Sequence, residues 1–267
     1  MRPESALRLL AWNCCRGPLA TKLAAINALA VDLAVVPECP RLPDIPGSTL
    51  WFGANRHGGL GVIAKPPWRI APLGSWVTPP QWLRPMRVTG PLSFLLWAVW
   101  ACNDGSQRYV RGIHRALDLS AHWFERGPVV FLGDFNSHSL WDRNHPRDRN
   151  HSALVRRLEA LGLASSYHYY HAEPHGSETV PTFFEYRHQH RPYHIDYCFL
   201  PASWAPWISS VTVGAHDNWS ARSDHMPLLT VVEPPSGQPP PEADTFRPSV
   251  FQDRRHPPVD PGLARSG

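Results

Sequence analysis

Apolar runs and helix-like patterns alternate along the first 233 residues of the chain. Residues 7–13 form an apolar run closed by Asn13, which is typical of a buried strand. Residues 21–30 carry apolar side chains at helical spacing, and Thr21 is suited to cap that helix. Two more helices are predicted, over 113–124 and over 152–161, the latter ending at Gly162. Further strands are predicted over 33–36, 49–52, 60–64, 86–88, 94–100, 129–132, 182–186, 195–200, 211–214 and 228–232.

Strands outnumber helices in this pattern, which favours an α+β protein with two sheets packed face to face and helices outside. The pattern stops near residue 233. Residues 234–267 contain nine prolines, four arginines balanced by four acidic residues, and few aliphatic residues, a composition typical of disorder. We therefore expect one domain over 1–233, followed by a disordered extension over 234–267.

Composition narrows the class of protein further. Hydrophobic residues make up 43% of the 267 residues, enough for a sizeable core. No stretch approaches the ~18 consecutive apolar residues of a membrane span, and no signal peptide is evident, so we expect no membrane partner. The five cysteines include no Cys-x-x-Cys pair, which argues against a disulfide framework or a structural zinc motif and favours the reducing cytoplasm. The net charge of +4 permits an anionic substrate.

Polar side chains stand where several of the predicted strands end. Such positions often hold functional groups, because the backbone fixes them while adjoining loops give access. One aspartate after a strand is usually a turn former, but repeated occurrence in one chain favours a site. The residues concerned are Asn13, Glu38, Asp134, Asn136, Asp196, Asp224 and His225.

The motifs that contain these residues resemble those of the endonuclease/exonuclease/phosphatase superfamily in order and approximate spacing. The resemblance implies a four-layer αββα sandwich of two mainly antiparallel sheets, and hydrolysis of phosphodiesters or phosphomonoesters with Mg²⁺ or Mn²⁺. It extends over residues 8–232. The matching motifs are Trp12-Asn13, Pro37-Glu38, Gly133-Asp134-Phe135-Asn136, His194-Ile195-Asp196-Tyr197 and Ser223-Asp224-His225.

The resemblance also implies a role for each polar residue. Glu38 would bind the metal ion, with Asn13 beside it and Asp224 in a direct or indirect contact. Asp134 would orient and deprotonate the attacking water, and Asn136 would donate its amide to that water or to a phosphate oxygen. His225 would reach the scissile phosphate, while Asp196 would accept from its other ring nitrogen and fix its tautomer.

Three positions depart from the superfamily pattern. Cys15 stands where many relatives carry Asp or Asn, and a thiol is a poor Mg²⁺ ligand. Trp100 stands where relatives often carry a phosphate-binding His or Tyr, and an indole would stack on a base or sugar instead. His194 replaces the more usual Arg, so it would contact phosphate only when protonated.

Two clusters outside these motifs are candidates for substrate binding. The segment 141–151 holds Trp141, Arg143 and Arg147, which would bind a nucleic-acid backbone and stack a base; a solvated, salt-bridged loop is an equal alternative. The histidines between 168 and 194 do not match a zinc motif, and surface or loop histidines are the favoured interpretation over a transition-metal site. His168 and Glu178 stand out because they precede the strand predicted from residue 182. Cys14 and Cys39, which adjoin Asn13 and Glu38, and Cys198 are interpreted as buried free thiols.

The leading functional hypothesis is a metal-dependent phosphodiesterase, a nuclease acting on DNA or RNA. A phosphatase or phosphodiesterase of small phosphate esters is the first alternative, since fold does not settle function. The second is a catalytically weak or redirected member of the fold with a binding or biosynthetic role, which the Cys15 and Trp100 departures motivate. The chain keeps six polar side chains that match the superfamily motifs, which argues against this second alternative. Protein partners are not predicted.

Overall fold

The computed structural model describes residues 6–73, 82–103, 105 and 108–235. The disordered extension predicted over 234–267 lies outside the described residues except for its first two positions. The strands are β1 Leu7–Ala11, β2 Leu33–Cys39, β3 Thr49–Asn55, β4 Gly58–Ala64, β5 Arg69–Pro72, β6 Leu83–Thr89, β7 Phe94–Trp100, β8 Val129–Asp134, β9 Leu163–Ser165, β10 Phe183–Phe184, β11 Pro192–Tyr193, β12 Asp196–Pro201, β13 Ile208–Val213 and β14 Leu228–Val232.

The helices described are fewer than the strands. The α-helices are α1 Leu19–Ala28, α2 Val110–Ser120, α3 His151–Ala160, α4 Ser166–His171 and α5 His216–Trp219. Short 3-10 helices span Ala121–Arg126, Ser139–Asn144, Glu185–Arg187 and Ala202–Trp207. Within the described residues, no helix is both long enough and apolar enough to cross a membrane.

Two six-stranded sheets form the centre of the molecule. The first has the strand order β13-β14-β1-β2-β4-β3, and the second β5-β6-β7-β8-β12-β9. Each sheet contains one parallel pair, β1 with β2 and β7 with β8, and its other pairs are antiparallel. Strands β10 and β11 form a separate two-stranded ribbon. The mainly antiparallel pairing predicted from the sequence is confirmed.

Three apolar clusters make this a four-layer structure. Alternate residues of both sheets, such as Leu9 and Leu132, pack face to face in a central core. The outer face of the second sheet packs against α2 and α3 through residues such as Ile113 and Leu154. The outer face of the first sheet packs against α1 through Ile26. The αββα sandwich that the motifs implied is therefore confirmed.

Several element boundaries differ from the sequence prediction. Helix α1 begins at Leu19, directly after Pro18, so Thr21 lies inside the helix and does not cap it. Proline has a preset φ and no N–H, so it fits the start of a helix where that N–H would be unpaired. The strand predicted over 182–186 is only two residues long, because Tyr186 and Arg187 adopt positive φ angles of 54° and 63° that end the extended backbone.

The buried cysteines agree with the sequence interpretation. Cys14, Cys39 and Cys198 are almost fully inaccessible to solvent and carry free thiols. Burial raises the pKa of Cys198 to about 12, so this thiol stays protonated. Cys198 behaves as a small apolar core residue.

Candidate active site

The polar residues predicted at strand ends meet at one end of the sandwich, between the two sheets. Asn13 and Glu38 come from the ends of β1 and β2 in the first sheet, and His225 precedes β14 of the same sheet. Asp134 closes β8 and Asp196 opens β12 in the second sheet, and these two residues are directly opposite each other in an antiparallel pair. Neither sheet alone holds the whole group.

Asp134 lies at the centre of a hydrogen-bond network. Its Oδ2 accepts from Nδ2 of Asn13 at 3.0 Å and from Nδ2 of Asn136 at 2.8 Å, and its Oδ1 accepts from the Asn136 backbone N–H at 2.8 Å. Asn13 Nδ2 also lies 3.2 Å from Oε1 of Glu38. Burial raises the pKa of Asp134 above its ordinary value, against the opposing charge of His225. The Asp134 carboxylate is thus held rigidly and is more basic than an exposed aspartate.

His225 and Asp196 form a buried pair beside Asp134. Nδ1 of His225 lies 2.9 Å from Oδ2 of Asp196, and both side chains are almost fully buried. Burial by itself lowers the pKa of His225, but the charges of Asp196 and Asp134 and the hydrogen bond to Asp196 outweigh it and raise the pKa to about 10. His225 is therefore an imidazolium at neutral pH, with its Nδ1–H committed to Asp196.

The donor atoms of this site suit a hard divalent cation. Mg²⁺ and Mn²⁺ prefer carboxylate and carbonyl oxygens. Oδ1 of Asp196 is buried and has no hydrogen-bond partner among the described residues, so it is free to accept a proton or a cation. One donor atom from each of Asp134, Asp196 and His225 lies within 4.8 Å of the other two. Glu38, about a quarter exposed, faces the same group through Asn13 and is open to solvent.

Strained backbone at two of these residues is compatible with a functional role. Glu38 has a φ of 53° and Asn136 a φ of 43°, in the left-handed region that most non-glycine residues avoid. The ladder between β2 and β4 is irregular between Val36 and Cys39, which is where Glu38 leaves the strand pattern. The pattern of alternation alone therefore does not give the direction of the Glu38 side chain.

Three residues that the sequence analysis did not single out hold the site together. Thr182 Oγ1 accepts from the backbone N–H groups of Ile195 and Asp196, each at 3.0 Å. Ser223 Oγ donates to the carbonyl of Asn13 at 2.7 Å and accepts from the His225 backbone N–H at 3.0 Å. Trp12 Nε1 donates to the His225 carbonyl at 3.0 Å. Ser223 and Trp12 stand within the recognised motifs, whereas no sequence signal distinguishes Thr182 from other threonines.

Of the remaining predicted residues, Asp224 is close to the site. Its side chain lies beside Cys15, whose thiol pKa is raised by burial and by the Asp224 charge. Two basic residues that were not predicted from the sequence lie at the edge of the site formed by Glu38 and Cys15. Arg16 Nε lies 3.6 Å from Glu38 Oε2, and the Arg187 guanidinium lies 3.9 Å from Cys15 Sγ. No local pattern separates them from other surface arginines.

The predicted stacking and backbone-binding residues are dispersed. Trp100 is directly beside Asp134 in the β7–β8 register, but its ring packs on Trp82 at 5.0 Å between centroids. Trp141 is half-buried, with its ring 4.8 Å from that of Tyr193. Arg143 and Arg147 are exposed in the segment that follows, and among the described residues no ion pair engages either of them.

The two histidines predicted to bind substrate, His194 and His168, are covered by other residues in the structure. His194 is 1% exposed and its Nδ1 lies 2.9 Å from the Val180 carbonyl. Burial lowers the pKa of His194 to about 4, so it is neutral and turned into the interior. His168 is 9% exposed and its Nε2 lies 3.0 Å from Glu178 Oε1. Sequence spacing did not reveal that this segment is covered.

Comparison with solved structures identifies the architecture. An AP endonuclease from Archaeoglobus fulgidus superposes with a TM-score of 0.63 at 16% identity, covering 85% of this chain and all of that one. The endonuclease domain of TRAS1, a telomere-specific non-LTR retrotransposon, gives 0.59 at 19% identity over 85% and 98% of the two chains. The chain has the endonuclease/exonuclease/phosphatase fold.

Other neighbours carry the same fold with different activities. The 3'-5' exonuclease NExo from Neisseria meningitidis gives a TM-score of 0.57 at 18% identity, covering 85% of this chain and all of that one. A second NExo structure is described as a 3' phosphatase bound to a product DNA hairpin. No family model and no curated protein matches the sequence. At these identities the likeness establishes the fold alone.

Proposed function

We propose that this protein is a divalent-metal-dependent phosphodiester hydrolase, a nuclease that acts on DNA or RNA. The observation that carries the proposal is the buried His225–Asp196 pair set against Asp134, which supplies a cation, a base and an unpartnered carboxylate oxygen in one place. A structural ion pair would not need the partly exposed Glu38 beside it, nor Asn13, whose amide nitrogen lies within hydrogen-bond distance of both Glu38 and Asp134.

Glu38 would hold Mg²⁺ or Mn²⁺, with Asn13 fixing the direction of its carboxylate and Asp224 near the same ion. When bound, the ion supplies positive charge that neutralises the phosphate and aligns it for displacement. Cys15 occupies a position that an oxygen ligand would otherwise fill, and its protonated thiol adds no charge. Glu38 is therefore the main anionic group available to the ion at this edge.

Asp134 would act as the base for the attacking water. Its burial makes the carboxylate a better proton acceptor near neutral pH, and the water's proton would be taken up by a carboxylate oxygen. Two donors from Asn136 keep the carboxylate plane fixed, and Asn13 adds a third. This orientation reduces the reorganisation needed when the water attacks.

His225 would stabilise the negative charge that grows on the phosphate. Because Nδ1–H is held by Asp196, the imidazolium offers Nε2–H to a non-bridging phosphate oxygen. Asp196 is itself positioned by Thr182, so the ring, the carboxylate and the threonine form one fixed unit. Asp196 is a positioning residue in this scheme.

Nucleic acid is the favoured substrate because basic side chains border the site. Arg16 and Arg187 lie at the Glu38 edge, and Arg143 and Arg147 are exposed on the segment that follows the Asp134 loop. Phosphate neutralisation by such residues is the general source of affinity for nucleic acid. Several structural neighbours are described as acting on DNA, which supports the same substrate class.

The test is a hydrolysis screen of the purified full chain in EDTA, Mg²⁺ and Mn²⁺. Substrates are single- and double-stranded DNA, abasic DNA, RNA, bis-p-nitrophenyl phosphate and a nucleotide panel. We expect metal-dependent cleavage, lowered about 10²–10⁴-fold in Asp134→Asn and about 10²–10³-fold in His225→Ala. Asp217→Asn and His190→Ala make the same chemical changes at exposed positions and should keep wild-type rates.

Each outcome of the screen decides between the hypotheses. Cleavage of nucleic acid that is lost in both site variants supports the nuclease proposal. Hydrolysis of nucleotides alone would replace it with the small phosphate ester alternative. Activity that survives Asp134→Asn and His225→Ala, or no hydrolysis of any substrate, would overturn the proposal and favour a binding or redirected role.

A further inference from the structure

Five histidines form a connected cluster around the carboxylate of Glu178. They are His138, His151, His168, His175 and His194. The side chain of Glu178 is 2% exposed, and its carboxylate oxygens lie within hydrogen-bond distance of two histidines and of a backbone N–H. A buried carboxylate needs a compensating cation, and no Lys or Arg is paired with Glu178 among the described residues.

The two oxygens of Glu178 have different surroundings. Oε2 lies 3.1 Å from His138 Nε2 and accepts from the Gly176 backbone N–H at 2.9 Å. His138 Nδ1 accepts from the Leu140 backbone N–H, so the proton of a neutral His138 ring is on Nε2 and points to Glu178. These donors fix the carboxylate and leave Oε1 facing the other imidazoles.

Two imidazole nitrogens lie near Oε1: one donor atom from each of His168, His175 and Glu178 lies within 4.8 Å of the other two. A third imidazole, that of His151, lies beside His175. His168 Nε2 lies 3.0 Å and His175 Nδ1 4.0 Å from Glu178 Oε1, and His151 Nε2 lies 3.4 Å from His175 Nδ1. Ligands bound tetrahedrally to zinc at ~2.0–2.1 Å lie ~3.3 Å from each other, so this spacing suits a shared ion.

The remote nitrogens of two of these rings are already engaged by serines. Nδ1 of His151 lies 2.9 Å from Ser137 Oγ, and Nδ1 of His168 lies 2.7 Å from Ser165 Oγ. When each serine accepts the Nδ1–H, the lone pair on Nε2 faces the Glu178 region. Histidines that bind metals generally donate their second N–H to an acceptor in this way.

We propose that His168, His175 and Glu178, with His151 beside His175 as the fourth ligand, bind one divalent transition-metal ion, zinc being the best fit, at a structural site separate from the candidate active site. Nitrogen ligands favour zinc over Mg²⁺. The ring of His175 stacks on His168 with centroids 3.4 Å apart, so His175 must turn about its χ2 angle to place Nδ1 towards the ion.

A metal ion here would tie together segments that support the catalytic residues. His151 opens α3, His168 lies on α4, and His175 and Glu178 lie on the loop that follows. Ser137, which contacts His151, directly follows Asn136. The loop that carries His175 and Glu178 leads to Thr182, which positions Asp196. The inference rests on these contacts and is independent of the proposed hydrolase activity.

The test uses the full chain, produced without a polyhistidine tag and gel-filtered in Mg²⁺ buffer after exposure to zinc. We expect about one zinc ion per chain by elemental mass spectrometry, and a tetrahedral visible spectrum when Co²⁺ replaces zinc. His175→Gln and Glu178→Gln should each lower zinc content at least about tenfold. His188→Gln at an exposed position and His225→Gln at the candidate active site should retain it.

The wild-type measurements decide the matter even where a variant fails to fold. Wild-type protein that retains no zinc and gives no tetrahedral Co²⁺ spectrum would overturn the proposal. The cluster would then be a hydrogen-bond network without a metal ion. Zinc that persists in folded His175→Gln and Glu178→Gln, or that is lost in folded His225→Gln, would place the ion elsewhere and equally reject it. Circular dichroism establishes which variants are folded.

Discussion

Gly133 shows how a single residue determines whether the candidate site can form. It directly precedes Asp134 in β8, where its φ is 138° and an added Cβ would collide with the carbonyl oxygen of Val99 on the adjacent strand β7. Only glycine permits this backbone to approach its parallel neighbour so closely. The Gly-Asp pair in the motif thus combines a packing requirement with a chemical one.

We therefore expect Gly133→Ala to lower the free energy of unfolding by about 3 kcal/mol or more, through steric overlap and backbone strain together. Gly162→Ala is the matched control, because Gly162 also has a positive φ but an added Cβ would meet open space. That change should cost about 1 kcal/mol. Urea unfolding followed by circular dichroism measures both, and equal losses would refute the role assigned to the Val99 contact.

Helix α3 carries one of the proposed zinc ligands, and its start depends on an N-cap. Asn150 Oδ1 accepts from the Ala153 backbone N–H at 2.9 Å, while the Asn150 carbonyl lies 3.1 Å from His114 Nε2. His151, the first residue of the helix, follows directly. The cap therefore determines where the helix begins and where the His151 ring lies.

Replacing the cap should destabilise the protein modestly. Asn150→Ala leaves the Ala153 N–H without its side-chain acceptor, and we expect a loss of about 1 kcal/mol in the free energy of unfolding. Asn150→Asp keeps an acceptor and should recover most of that loss, whereas Asn144→Ala at an exposed position should have little effect. Thermal and urea unfolding report the differences; a loss for Asn150→Asp as large as for Asn150→Ala would contradict the capping explanation.

Elements varied in how well the sequence predicted them. Strand β7 spans Phe94–Trp100 as predicted, because its apolar run is packed on both faces. The short strand β9 and helix α4 were not predicted, since a three-residue strand and a six-residue helix carry no usable periodicity. Helix α4 brings His168 into the histidine cluster. Because this helix was not predicted, the burial of His168 was not predicted either.

At the scale of the whole molecule, assembly of the site couples the two sheets. Asn13 of the first sheet donates to Asp134 of the second, and His225 before β14 pairs with Asp196 of β12. The buried His225 charge is stable only while both carboxylates are beside it, so its protonation depends on the folded state. The stability of the whole molecule should therefore depend on pH through this residue.

The pKa of His225 is raised to about 10 in the folded protein, against an ordinary value of 6.5. Between these values the folded state binds more protons than the unfolded state, so stability falls as pH rises from about 7 to 10. The contribution of one such group has a slope of at most about 1.4 kcal/mol per pH unit.

Urea unfolding of wild type and His225→Gln across this range, in EDTA, isolates the contribution. We expect the difference in unfolding free energy between the two proteins to shrink as the pH rises. A difference that stays constant from pH 7 to 10 would show that His225 is not protonated in the folded state.

The sequence alone determined the fold class, the approximate positions of most strands and the identities of the polar residues, since alternation and motif order are local properties of the chain. It correctly gave buried thiols at Cys14, Cys39 and Cys198. The tertiary structure decided which polar groups meet. Asp134 and Asp196 are opposite because β8 and β12 pair, and Thr182 supports Asp196 through a contact between segments. His194 turns inward because the 165–182 segment covers it, and such packing depends on residues distant in the chain, which no local pattern encodes.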